Sequence, residues 1–196
     1  MMKTALFLIL DQYADWEGAY LASMLNEDAE WQVKTVSVKH SVTSIGGFTT
    51  LVDYLAGAEP EEYHLLVMVG GDSWHEDWPE LTQFVKQAFY DGIPVGAICG
   101  ACDYLARKGF LNDVDHTGND VSNWADYRNY EPSGSFLHEQ AVQDGRVVTA
   151  NGTAPVAFTH LVLEMIDFAP PEKLEKDMFM IQYGMYRFME MYGGDE

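Results

Sequence analysis

An α/β fold with a largely parallel central sheet is the architecture this sequence predicts, and three observations predict it. Through roughly the first hundred residues, short β-rich runs alternate with longer helix-like windows, the signature of βαβ units. Residues 65–69 form a continuous apolar run ending in Gly70-Gly71, as a central parallel strand does on entering a tight loop. A composition of 47% hydrophobic and 13% aromatic residues marks a chain that folds, since disordered chains are poor in both. Its 196 residues suffice for one domain with a full core.

The elements follow in order. Residues 5–10 read as the first strand; Asp11 cuts the apolar run too early for a signal peptide, and no small-residue cleavage site follows. Trp16, Ala19, Tyr20, Met24 and Leu25 recur at helical spacing, so residues 15–26 form a helix with Asp15 as its expected N-cap. Val33, Val36 and Val38 mark a strand, and Gly46-Gly47 between residues 42–45 and 48–52 marks a hairpin. Leu81, Phe84, Val85, Ala88 and Phe89 give the next helix. Residues 94–98 form a strand that delivers Cys99, and a helix starts at once and ends near Gly109. Residues 111–140 are polar and irregular and take no assignment. A late strand at 147–150 and a helix at 155–168 complete a domain over residues 1–170. Pro170-Pro171 then introduces an extension, 171–196, in which Leu174, Met178, Ile181, Met185, Phe188 and Tyr192 make one helical stripe of about five turns. This extra C-terminal helix is expected to pack on its own domain or on a partner. Gly184 in its middle implies close packing or a break.

Charge excludes partners. With 11 Lys+Arg against 31 Asp+Glu the net charge is −20, which repels phosphate backbones and anionic membrane surfaces. The only adjacent basic pair, Arg107-Lys108, is no stripe for a phosphate backbone to follow. No nucleic acid and no membrane is therefore expected. Cys99 and Cys102, the only cysteines, are too few for a secreted disulfide framework, so a reducing cytoplasm is the expected compartment. Two cysteines without a second pair do not make a zinc site, and no metal or cofactor is expected.

The chemistry concentrates at Ala97-Ile98-Cys99-Gly100-Ala101. A nucleophile on a sharp strand-to-helix turn needs small neighbours because the flanking chain comes very close, and here they surround a thiol. The Gly100 N–H faces the position of a reacting carbonyl oxygen, and the positive end of the new helix favours thiolate. Gly71, after the central strand, supplies the second donor of an oxyanion hole. Cys99-Gly100-Ala101-Cys102 also reads as a C-x-x-C redox pair, with Cys102 as a core residue or a resolving thiol.

Together these windows resemble the ThiJ/PfpI family, in the superfamily of class I glutamine amidotransferase-like proteins. The motifs that carry it occur in order: Asp15-Trp16-Glu17-Gly18, Ser44-Ile45-Gly46-Gly47, Gly70-Gly71, the Cys99 elbow, Gly109-Phe110-Leu111, His116-Thr117-Gly118-Asn119 and Asn151-Gly152-Thr153-Ala154-Pro155. The resemblance implies a flavodoxin-like three-layer sandwich, a homodimer and a reactive Cys99 approached by the carboxyl of Glu17. A low thiol pKa then requires a protonated Glu17, whose own pKa is raised by burial against Trp16 or Tyr13.

The chain departs from the protease-like members, which carry His after the nucleophile where this one has Gly100. Classical protease and glutaminase activity are accordingly not expected. His116 or His75 could supply the missing imidazole, and Asn119 lies in the same window as His116. The expected function is a cysteine-dependent hydrolase-, lyase- or glyoxalase-like enzyme acting on a small neutral carbonyl or amide compound. The alternative is a non-enzymatic redox-sensing or stress-response protein using the same sulfur.

Overall fold

A computed structural model describes residues 2–193. Seven strands form one sheet in the order β5-β2-β1-β6-β7-β9-β8. They are β1 (Lys3–Leu8), β2 (Trp31–Ser37), β5 (Tyr54–Leu55), β6 (Leu65–Met68), β7 (Val95–Ile98), β8 (Ala141–Asp144) and β9 (Val147–Ala150). All neighbours run parallel except β8, an antiparallel edge on β9. A separate hairpin, β3 (Ser41–Thr43) with β4 (Thr49–Leu51), turns at Gly46-Gly47 as the sequence predicts.

The period of two along the strands sorts the core into two halves. Leu6, Leu8, Leu66, Met68, Val95 and Ala97 face α2 (Pro79–Tyr90) and α3 (Gly100–Lys108). Ala5, Phe7, Leu65, Val67, Ile98 and Val148 face α1 (Asp15–Glu27), α4 (Pro155–Met165) and α5 (Pro171–Tyr183). Helices on both faces of a mostly parallel sheet make the flavodoxin-like three-layer sandwich.

Three expectations are corrected. Asp15 is not the N-cap of α1: Ala14 holds that place without a side-chain bond. The Asp15 carboxylate instead accepts from the Gly46 N–H at 2.8 Å, tying the hairpin turn to the helix. The helix expected at 155–168 stops at Met165, because Asp167 turns into positive φ (50°) and the Phe168 N–H returns to the Leu163 carbonyl at 3.0 Å. The C-terminal stripe is two helices, α5 and α6 (Met185–Tyr192). Gly184, at φ +83° and ψ +165°, a conformation that favours glycine, breaks them. Leu174 and Met178 of α5 are buried, whereas α6 buries no residue and leaves Tyr186 91% exposed.

The chain passes from β1 to β2 on one side and returns to β6 on the other. This switch point places the loops after β1, β6 and β7 together at the carboxyl edge of the sheet, where ligands of such sheets bind.

Candidate active site

Strand β7 is hydrogen-bonded on both sides, to β6 and β9, so its end is rigidly held. The next residue, Cys99, turns sharply: it sits at φ +59°, ψ −126°, donates its N–H to the Ala150 carbonyl at 2.9 Å, and N-caps α3. A non-glycine residue in such a conformation costs about 1–3 kcal/mol, and strain of this kind collects at functional sites. The elbow predicted from the small residues is present.

Four groups surround the sulfur. Asn119 Nδ2 donates to Cys99 Sγ at 3.3 Å, and its Oδ1 accepts from the Gly152 N–H at 2.9 Å, which fixes the amide's orientation. The Gly100 N–H faces the sulfur and favours its charged form. Glu17, only 1% exposed, comes from the first turn of α1, and its Oε2 has no hydrogen-bond partner among the described residues. Gly152 sits against both side chains: a Cβ built there would lie 2.8 Å from Cys99 Sγ and 3.0 Å from Glu17 Oε1.

Burial pushes the Glu17 carboxyl up to about 7, the direction the sequence requires. Of its two expected neighbours, Trp16 is half exposed and reaches the Gly152 carbonyl at 3.5 Å, and Tyr13 pairs its hydroxyl with Thr50 at 2.8 Å. The thiol runs opposite to expectation. Burial, aided by the Glu17 charge and opposed by Asn119 and Gly100, pushes Cys99 up to about 11, so the helix end does not leave a resident thiolate.

Gly71 takes φ +142°, and a Cβ there would overlap the Gln12 carbonyl oxygen, so only glycine fits. It is held by a bridge to Tyr13, with Ala14 N–H to Gly70 O at 3.0 Å and Asp72 N–H to Gln12 O at 3.1 Å. Its carbonyl packs on Gly100, where a Cβ would come within 2.7 Å. The two expected oxyanion donors therefore belong to residues in contact.

The histidines divide. His75 lines the same cavity as Cys99, its Nδ1–H donating to the Asp72 carbonyl at 2.7 Å. His116 does not reach the sulfur. It is fully buried, bonded to Val114 O at 2.7 Å and Tyr130 Oη at 2.8 Å, and stacked on Trp124, because the 111–140 segment folds an aromatic cluster around it. Cys102 is core, its thiol donating to the carbonyls of Ala97 (3.3 Å) and Ala150 (3.4 Å), with burial holding it in the neutral form.

The cavity, about 480 Å³, opens between the Gly71–His75 turn, α3 and the 119–127 segment. Its further walls, none of them marked as site residues by a sequence motif, are Asp72, Trp74, Asp103, Tyr104, Arg107 and Tyr127. Asp103 and Arg107 had a usable signal, since steps of four from Cys99 run down one face of the helix it caps. Among the described residues no group of His, Cys, Asp and Glu is arranged to hold a metal, and no helix is long and apolar enough to cross a membrane.

The family model described as DJ-1/PfpI family matches residues 3–165. A Bacillus subtilis (strain 168) protein named "Uncharacterized protease YdeA" is 59% identical over 192 residues, covering 98% of each chain. A second from that strain, "Uncharacterized protease YoaZ", is 34% identical over 176 residues and covers 82% of each. Among solved structures, a thiJ/pfpI family protein from Bacillus anthracis superposes with TM-score 0.87 at 30% identity, over 96% of this chain and 95% of that one. The DJ-1 superfamily protein Atu0886 from Agrobacterium tumefaciens gives 0.83 at 32% identity, over 93% and 100%.

Proposed function

The chain belongs to the DJ-1/PfpI family, and from that premise we propose that it is a cysteine-dependent hydrolase acting on a small amide or carbonyl compound. One observation carries the reading. Cys99 is held at positive φ on a strand-to-helix elbow, in an open cavity, with a buried carboxylic acid of pKa about 7 facing the glycine that touches its sulfur.

The high thiol pKa sets the order of events. Proton transfer from Cys99 to Glu17 is uphill before attack, so it accompanies formation of the C–S bond. The carbonyl oxygen gathers negative charge beside the Gly71 and Gly100 N–H groups. Collapse breaks the C–N bond of an amide, Glu17 returns its proton to the departing amine, and a thioester remains on Cys99. Water then adds to the thioester with Glu17 taking its proton, and the acid leaves as the thiol is re-formed. No histidine is required. That matters because, among the described residues, none hydrogen-bonds Cys99 and only His75 shares its cavity. The redox-sensing alternative gains nothing from Cys102, which is buried and turned to backbone carbonyls.

The test is a panel of amides, short peptides, 2-oxoaldehydes and isonitriles assayed with wild type and Cys99→Ser. Turnover of at least one class that disappears in Cys99→Ser supports the reading. Turnover that survives the substitution overturns it.

A further inference from the structure

We propose that Asp103 is a specificity residue that receives a positively charged hydrogen-bond donor, such as an ammonium group, on the part of the substrate remote from the reacting carbon. The inference rests on the Cys99 cavity being the substrate site.

Asp103 lies four residues beyond Cys99, and positions i and i+4 share a face, so its side chain enters the same cavity one turn below the sulfur. Its carboxyl is held from behind: Trp124 Nε1 donates to Oδ1 at 2.6 Å. Trp124 is fully buried, in a short 3-10 turn, Val121–Trp124, started by the Asp120 side chain accepting from the Ser122 N–H at 2.8 Å. The second oxygen, Oδ2, makes no hydrogen bond among the described residues and is not sealed off from the cavity. An acceptor fixed at one oxygen and open at the other, half-buried beside a nucleophile, suits a donor carried by a ligand.

The neighbouring charges favour a cationic one. Arg107, the next residue down the helix face, does not satisfy Asp103. Its guanidinium donates to the carbonyls of His75, Trp74 and Glu76 at 2.8, 2.9 and 3.0 Å and lies 3.3 Å from Asp77. Asp72 adds a second carboxylate to the wall, so two acidic side chains stand there against the one guanidinium of Arg107, on a chain that carries −20 overall, a balance that favours a cation. An anionic ligand meets repulsion there, and a neutral one leaves Asp103 unpaired.

Cys99 itself reports on the question without any substrate. The second-order rates of its modification by neutral methyl methanethiosulfonate and by cationic 2-aminoethyl methanethiosulfonate are compared in wild type, Asp103→Asn and Asp126→Asn. Asp126 is exposed outside the cavity lining and controls for the general field; Asn keeps an oxygen for Trp124, and the rate with the neutral reagent confirms an intact cavity. The cationic-to-neutral rate ratio is expected to fall about tenfold in Asp103→Asn, the scale of a charge-assisted hydrogen bond, and less than about twofold in Asp126→Asn. An unchanged ratio in Asp103→Asn, or an equal fall in both variants, overturns the proposal. Neither result depends on turnover, so the outcome is separable from that of the Cys99→Ser panel.

Discussion

Replacing Glu17 with Gln is expected to make Cys99 easier to ionise and yet to lower turnover by about 10²- to 10⁴-fold, the usual worth of general acid–base catalysis. The two effects oppose each other because Glu17 acts on the sulfur in two ways. Its charge and its hydrogen bond to the thiol both hold Cys99 up, so their removal lets the thiol pKa fall below about 11, read from the pH dependence of alkylation by iodoacetamide. A fully buried Cys102 does not interfere with that readout. Gln, however, accepts no proton, and the thiol proton then has no destination during attack. If thiolate supply alone limited the reaction, Glu17→Gln would be faster than wild type, and that result would exclude the proton-shuttle role. In wild type, turnover is expected to fall as pH drops through about 7, where protonation removes the acceptor.

The same carboxyl sets a stability signature. Its pKa is raised from 4.5 to about 7 in the folded chain, so between those values the native state holds a proton that the unfolded chain has lost. Stability from this group is complete below about 4.5, declines as pH rises through about 7, and stays lower above. The decline is on the order of 3 kcal/mol, the linkage value of a rise from 4.5 to about 7 in a group only 1% exposed. Urea midpoints measured from pH 4.5 to 8 are expected to show this limb in wild type relative to Glu17→Gln. Parallel curves would mean that Glu17 ionises normally.

The elbow was legible in the sequence because chain geometry demands it locally. Small residues at 97, 100 and 101 around a thiol have few other reasons to follow an apolar strand, and Gly70-Gly71 marks the matching loop. The strands that carry the site, β1, β6, β7 and β9, were equally legible, each being a run of consecutive buried residues whose hydrophobicity survives any single error of register. What failed was whatever depends on contacts far apart in the chain. His116 and Asn119 stand three residues apart in one polar window, yet one is locked in an aromatic cluster and the other reaches the sulfur. No local pattern distinguishes them. The elevated thiol pKa was missed because a helix N-terminus can be read from sequence, whereas the burial that outweighs it cannot. The two-residue strand β5 and the edge strand β8 went unassigned for a related reason, since β5 is too short to show a period and β8 buries only Val142.

Two glycines that pack on Cys99 and Glu17 should separate fold from function. At Gly70 an added Cβ would overlap Glu17 Oε2 and lie 2.6 Å from Cys99 Cβ and 2.7 Å from the Ile98 carbonyl oxygen. Two of these three neighbours cannot swing away: one is main chain in a strand paired on both sides, and the other is the Cβ of a residue already strained. Gly70→Ala is therefore expected to destabilise the protein by about 3 kcal/mol, the upper range for overpacking, and to abolish turnover with it. At Gly152 the atoms in the way are Cys99 Sγ at 2.8 Å, Glu17 Oε1 at 3.0 Å and Cys99 Cβ at 3.1 Å. Two of them end side chains that can rotate, so relief comes from turning the reactive groups rather than from moving backbone. Gly152→Ala is expected to keep its urea midpoint, within about 1 kcal/mol, and to lose turnover by about a hundredfold through misplacement of the sulfur. Denaturation and assay of the two variants side by side make the comparison. Full activity in a stable Gly152→Ala would mean that the position of the sulfur against Glu17 does not matter, which the proposed chemistry does not permit.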